Sequence, residues 1–183
     1  MTNAVPTNEP EIIVREASDG DMAAVQVIYA HHVLNGFASF EETPPDVEEM
    51  ARRRADLTGH GLPFRVACLD GVVKGYAYAV PYRRRSAYRY TVEDSVYIAP
   101  DCLGLGLGAR LLEDIIETCA ALGYRQMVAI IGGSDNSASI NLHAKHGFVH
   151  AGMLKSAGFK FGRWADSVIM QRPLGSGNET LPG

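Results

Sequence analysis

Apolar residues along this chain change their spacing from segment to segment, and the changes mark out a series of short strands and helices. Residues 12–14 form a brief apolar run that predicts a first strand. Ser18 and Asp19 then offer caps to a helix whose apolar positions Met22, Val25, Ile28 or Tyr29, and Val33 recur every three to four residues. Thr43, with Pro44 next and Asp46 three residues on, predicts the start of a second helix carrying Val47, Met50 and Leu57. Within it Arg52, Arg53 and Arg54 read as a solvated face. Two apolar runs, 64–69 and 72–80, flank Asp70-Gly71, a pair that supplies the positive φ angles of a tight hairpin turn. Residues 91–98 are a further strand rich in β-branched side chains.

From Gly104 onward the period lengthens. Leu107, Leu111, Leu112, Ile115, Ile116, Cys119 and Leu122 make one stripe of a long helix. A buried strand at 126–131, a helix at 137–146 stopped by Gly147, and strands at 148–154 and 165–170 complete the series. Hairpins early and a strand-helix-strand unit in the middle predict a mixed α/β domain. No repeat or linker divides it, so one domain is expected over residues 12–174. Polar, proline-bearing residues 1–11 and glycine-rich residues 175–183 are expected to be flexible tails.

Composition narrows the functional classes. A formal net charge of −4 argues against a surface that neutralises a phosphate backbone, so no nucleic acid partner is expected. Cys68, Cys102 and Cys119 are widely spaced and form no Cys-x-x-Cys pair. Neither a disulfide framework nor a zinc site follows, and a reducing cytoplasm is expected. No basic cluster with a following apolar run opens the chain, and no apolar stretch approaches the length of a membrane span, so neither secretion nor membrane insertion is expected.

Gly104-Leu105-Gly106-Leu107-Gly108 lies where the strand ending Val96-Tyr97-Ile98 meets the long helix. A helix start leaves backbone N–H groups unpaired and carries roughly half a positive charge, so it can hold a pyrophosphate where no side chain intrudes. A dinucleotide fingerprint is excluded, because the third glycine comes one residue early and no acid lies between Gln126 and Ser134. A nucleoside-triphosphate loop is excluded as well, because Ala109 and Arg110 stand where Lys and Ser or Thr are needed. A plain structural turn remains open on the glycines alone.

The neighbourhood of that turn says more. Val96-Tyr97-Ile98-Ala99-Pro100, the glycine turn, Asn136, and the run Ser139-Ile140-Asn141-Leu142-His143-Ala144-Lys145-His146-Gly147-Phe148 together resemble the GNAT superfamily of acyl-CoA N-acyltransferases. The likeness spans residues 12–174. It implies a mostly antiparallel central sheet with a splayed parallel strand pair, flanked by helices. It implies acetyl-CoA as co-substrate, with Val96, Tyr97 and Ile98 along the pantetheine arm. Gly104, Leu105, Gly106, Leu107, Gly108 and Ala109 would surround the pyrophosphate. Asn136 and Ser139 would sit at the mouth between the strands, although Asn136 equally suits a helix cap. The family usually has Gln or Arg before the first glycine; Leu103 here leaves the phosphate contact to the backbone. The resemblance calls for no metal and implies a homodimer.

A closer likeness lies in Ala79-Val80-Pro81-Tyr82-Arg83-Arg84-Arg85-Ser86-Ala87-Tyr88, in Thr91-Val92-Glu93, and in Gly152-Met153-Leu154 through Ala157-Gly158-Phe159-Lys160 to Trp164 and Asp166. These resemble the phosphinothricin and methionine sulfoximine acetyltransferase branch. That branch implies transfer to the α-amino group of a small amino acid or analogue. Such an amine has a pKa of about 8, so a base must take its proton before it can attack a thioester. Glu93 is the candidate base. Alternation places Glu93, Ser95 and Tyr97 on one face of the strand, and Val92, Val96 and Ile98 on the other. Alternation alone favours a solvent-facing glutamate; the resemblance favours the base.

Arg83 and Arg85, alternate residues of an extended loop, are candidates for clamping the acceptor's carboxylate and acidic side chain, although composition alone would read the triplet as a solvated loop. Asp94 and Ser95 join Glu93 in the expected acceptor site. Phe40 resembles the aromatic wall of the amino-acid pocket, but Glu41 follows where phosphinothricin-acting members often have Arg. His143 stands where many members carry a tyrosine that protonates the departing thiolate, and an imidazole can donate that proton. A histidine that merely hydrogen-bonds within its helix is the alternative. Two rivals stay open: a GNAT enzyme for a protein N-terminus or a polyamine, and a non-catalytic acyl-CoA-binding module.

Overall fold

The structure, a computed structural model, describes residues 11–182. Residues 1–10 of the expected N-terminal tail lie outside the described residues. Seven strands form one sheet in the order β1-β2-β3-β4-β5-β7-β6. They are β1 (Ile12–Glu16), β2 (Phe64–Leu69), β3 (Val72–Pro81), β4 (Thr91–Ile98), β5 (Gln126–Gly132), β6 (Val149–Lys160) and β7 (Arg163–Pro173). Every pairing is antiparallel except β4 with β5. This is the mixed, mostly antiparallel architecture with one parallel pair that the sequence leads one to expect.

Helices α1 (Met22–Asn35) and α2 (Val47–Gly59) cover one face of the sheet, and α3 (Leu107–Ala121) and α4 (Ser137–Lys145) cover the other. Two cores result. On the α3 face Leu107, Leu111, Leu112, Ile115 and Cys119 pack against Ala77, Val92, Met127 and Ala129. On the α1 face Met22, Val25, Ile28, Tyr29 and Val33 pack against Phe64, Val66, Tyr76 and Tyr97. Burying a large apolar side chain stabilises by about 1.5–3 kcal/mol, so both stripes fix their helices firmly to the strands.

The hairpin turn is as expected, with Asp70 at φ 48° and Gly71 at φ 81°. Two expectations need correction. Helix α2 is capped by Asp46, whose carboxylate accepts from Glu49 N–H at 2.7 Å, and not by Thr43. Pro45 explains the shift, because a residue before proline is pushed out of the helical region, and Pro44 therefore cannot begin a helix. The last two strands are far longer than 148–154 and 165–170. Gly152, Gly158 and Ser156, which has φ 53°, interrupt the apolar pattern, yet the ladder continues through two irregularities to a turn at Phe161-Gly162. Beyond the last strand, Arg125 donates to Thr180 Oγ1 at 3.1 Å and to the carbonyl of Leu181 at 3.2 Å, and Gly177 N–H closes a turn on Leu174. Backbone carbonyls drawn to a guanidinium hold a segment that has too few apolar residues to pack by itself.

Arg53 and Arg54 also do more than face solvent. Arg53 bridges Glu41 and Glu49, and Arg54 donates to the carbonyl of Ala17 at 2.8 Å and pairs with Asp19.

Candidate active site

The site begins where the sheet comes apart. Pairing of β4 with β5 runs from Thr91↔Gln126 to Asp94↔Ala129 and stops there. The main chain of Val96 and Ile98 faces the resulting gap, since the alternate residues Thr91 and Ala99 direct their backbone bonds the other way, toward β3. Along the gap lies a cavity of about 570 Å³, lined by residues from both strands, the glycine turn and α4. Val96, Tyr97, Ile98, Gly104, Gly106, Leu107, Gly108, Ala109, Asn136, Ser139 and His143 all border it. Leu105 does not; its side chain points to solvent.

Local chemistry shapes this cavity for an extended, anionic ligand. Gly104 and Gly106 adopt φ 78° and 89°, values that side-chain-bearing residues rarely take, and these bend the chain into the start of α3. Gly106 caps the helix without a side chain, and Arg110 N–H is the first to return a bond, to Gly106 O at 3.2 Å. The amides of Leu107, Gly108 and Ala109 thus lack helical partners and point outward, with the positive end of the helix dipole behind them. Leu103 is exposed at the rim. Asn136 does cap α4, accepting from Ser139 N–H at 3.2 Å, and its side chain also borders the cavity.

Three side chains that can carry charge also border the cavity without having been singled out by the sequence. His32 reaches from α1 to set Nε2 2.8 Å from the carbonyl of Ile98, and Lys145 and His146 follow His143 on α4. The second pair could have been noticed as a basic cluster at one helix end; nothing in the sequence signals a contact between residues 32 and 98.

Glu93, Ser95 and Tyr97 lie on the α1 face of β4, as alternation predicts, and no bulge disturbs the register with β3. Glu93 is half-buried. Burial pushes its carboxyl above the usual 4.5, the neighbouring Asp94 adds to the rise, and the positive charge of Arg83 opposes it. Arg83 therefore lies near enough to Glu93 to act on it, with its guanidinium 5.0 Å from the Tyr82 ring. Arg85 is exposed at the start of a short turn over Ser86–Tyr88.

Phe40 sits in the loop after α1, wedged over the strands: a Cβ placed on Gly158 would come within 2.5 Å of its ring, and one on Gly132 within 3.1 Å. The loop is fastened by Lys160, only 2% exposed, which donates to the carbonyls of Gly36 and Ser39 at 2.9 and 2.8 Å. Glu41 turns away from this pocket, accepting from Tyr29 Oη at 2.9 Å and pairing with Arg53 at 2.7 Å.

Asp94 points away from its neighbour Glu93. Its carboxylate lies on the opposite face of β4, buried against α4, with Oδ2 3.0 Å from His143 Nε2. A residue next to Glu93 in a strand must point the other way. Among the described residues no group of three or more His, Cys, Asp or Glu could hold a metal, and no helix is long and apolar enough to cross a membrane.

A strand pair that parts over a glycine-started helix, with a carboxylate on the far face, defines an acyl-CoA-dependent transferase site. The chain matches the Acetyltransferase (GNAT) family over residues 27–148, and it belongs to that family. It is 57% identical over 169 residues to a phosphinothricin N-acetyltransferase of Alcaligenes faecalis, covering 92% of this chain and 86% of that one. It is 41% identical to an L-methionine sulfoximine/L-methionine sulfone acetyltransferase of Pseudomonas paraeruginosa, covering 88% and 94% of the two chains. Among solved structures, a GNAT superfamily phosphinothricin acetyltransferase from Sinorhizobium meliloti in complex with AcCoA superposes with a TM-score of 0.91 at 48% identity, covering 94% of this chain and 93% of that one.

Proposed function

We propose that this chain is an N-acetyltransferase that moves the acetyl group of acetyl-CoA to the α-amino group of a small amino acid or analogue, of the phosphinothricin, methionine sulfoximine or methionine sulfone kind. The observation that carries this reading is Glu93: a half-buried carboxyl, raised in pKa, beside the point where β4 and β5 part. The free amides of residues 107–109 and the main chain of β4 beyond Asp94, where pairing with β5 has ended, suit the diphosphate and the pantetheine arm of acetyl-CoA, which supplies an activated thioester when bound. Relatives named for phosphinothricin and methionine sulfoximine support the acceptor class. Glu41 does not stand against phosphinothricin, because Arg53 and Tyr29 already occupy its carboxylate.

In this reading Arg83 and Arg85 orient the acceptor's carboxylate and acidic side chain, and Phe40 and Ser95 border its body. Glu93 takes the ammonium proton, directly or through water. The nitrogen then bonds to the acetyl carbon, the carbon–sulfur bond breaks with its electron pair going to sulfur, and sulfur takes up a proton, with His143 at the cavity border as the proposed donor. The base must be ionised and the acid protonated. Because the Glu93 pKa is raised, the acid limb of the rate profile lies above pH 4.5; because that of His143 is raised, the alkaline limb attributable to it lies above pH 6.5.

The single domain is taken to span residues 12–174. Three free, buried cysteines suit a reducing compartment, and we place the protein in the cytoplasm. Exposed Val149, Leu154, Phe159, Phe161 and Trp164 on the outer hairpin support a homodimer through that edge. The activity is tested by following thiol release from acetyl-CoA with phosphinothricin, methionine sulfoximine, methionine sulfone, common amino acids, a polyamine and an N-terminal peptide. Release with the first three is expected; release only with peptide or polyamine would overturn the acceptor assignment.

A further inference from the structure

We propose that Asp94 is the positioning residue that holds His143 as an imidazolium at the apex of the β4–β5 gap, and that it takes no part in gripping the acceptor. The proposal rests on the reading of His143 as the acid that serves the leaving sulfur.

The argument counts protons. His143 Nδ1 lies 2.8 Å from the carbonyl oxygen of Ser139, which can only accept, so Nδ1 carries a hydrogen. A neutral ring would then present a bare lone pair at Nε2. That lone pair would face Asp94 Oδ2 across 3.0 Å, two acceptors with nothing between them. A second proton must therefore lie between the ring and the carboxylate.

The surroundings decide where it sits. Both side chains are almost completely shielded, with 5% of His143 and 1% of Asp94 side-chain surface exposed. Asp94 Oδ1 is buried with no hydrogen-bond partner, so the bond from Oδ2 to the ring is the one that ties this side chain in place. Burial by itself favours the neutral ring, yet the hydrogen bond and charge of Asp94, helped by the Ser139 carbonyl, outweigh it and raise the His143 pKa above 6.5. The other groups around the pair do not supply this effect. Cys119 on α3 stays a thiol, since burial and the Asp94 charge push it up to about 12. Arg65 and Asp114 lie beyond it and pair with each other at 2.7 Å. Glu93 points to the other face of the sheet, while Lys145 and His146 follow His143 on α4 and border the cavity. Phe148 meets the ring edge to face at 4.9 Å and fixes its plane.

The placement is what connects the pair to the reaction. Asp94 is the last paired residue of β4 before the gap, and both Asp94 and His143 border the cavity. On the proposed reading, a thioester lying along the gap would end at that apex.

The test uses the full chain with ¹⁵N-labelled histidine, following the His143 ring nitrogens against pH and assigning them with His143→Gln. In the wild type the ring is expected to be doubly protonated at neutral pH. In Asp94→Asn the side-chain amide can donate to Nε2, which satisfies a neutral ring, so the titration midpoint should fall by about 1 pH unit or more. The alkaline limb of kcat should move down with it while the KM for acetyl-CoA stays within about twofold, a pattern that simple loss of packing would not produce. A singly protonated ring in the wild type at neutral pH overturns the proposal, as does an unmoved midpoint in the variant. If Asp94→Asn does not fold, the wild-type spectrum decides alone. A midpoint that falls while the alkaline limb stays put upholds the pair and overturns the acid role of His143.

Discussion

The two faces of β4 do different jobs with different materials. Along the gap the cavity is bordered by glycines at positive φ, the first amides of α3 and the strand edge beyond Asp94, together with side chains such as His32, Tyr97 and His143. On the α1 face the proposed acceptor pocket would draw on side chains from distant segments, with Arg83 from one loop, Phe40 from another, and Lys160 from the outer hairpin holding that second loop in place. A backbone site tolerates changes of side chain as long as φ angles and clearance survive. A side-chain site depends on each of its residues and on whatever fastens them.

That contrast can be broken at several points. The largest effect is expected from Glu93→Gln, which should lower turnover about 10²–10⁴-fold while calorimetric affinity for acetyl-CoA is kept. An unchanged rate would remove Glu93 as the base and leave the α1 face without its chemistry. Next comes Arg83→Ala: a hydrogen bond to a charged group contributes about 1.5–3 kcal/mol, so the acceptor KM should rise about 10–100-fold with that for acetyl-CoA unmoved. An equal rise in both would mean that the two faces are not separate. Gly108→Val attacks the other side, because its Cβ would stand 3.4 Å from Leu142 and its methyl groups would enter the cavity. About tenfold weaker acetyl-CoA binding is expected, equivalent to about 1.4 kcal/mol, with the acceptor KM nearly constant. Lys160→Met should act least on the chemistry, leaving two loop carbonyls unpaired. A loss of about 1–3 kcal/mol in stability by urea unfolding is expected, with a few-fold rise in acceptor KM as Phe40 loosens.

The same division explains what the sequence made legible. Local patterns were read well: the Asp70-Gly71 turn, the α3 stripe, the bounds of β4 and the alternation that sets Glu93 apart from Val92. Each is decided within a few residues by backbone geometry or periodicity. The family resemblance placed the glycine turn and α4 on one cavity, and only Leu105 fell outside it. What escaped depends on residues far apart. Asp94 and His143 are separated by 49 positions, Lys160 and Ser39 by 121, and no spacing rule joins such pairs. Asp94 was grouped with its neighbours in sequence although alternation already turned it away from them. The long β6–β7 hairpin escaped for another reason: its glycines read as breaks, whereas one of them, Gly158, makes room for the Phe40 ring.

The measurement closest to the core of this account is titration calorimetry of the purified wild-type chain with acetyl-CoA. Binding at one site per chain is expected, weakened about tenfold by Gly108→Val and unaltered by Glu93→Gln. Absence of any binding heat, or equal affinity in the Gly108→Val protein, would contradict a cofactor site built from the main chain of the splayed strand and the α3 turn.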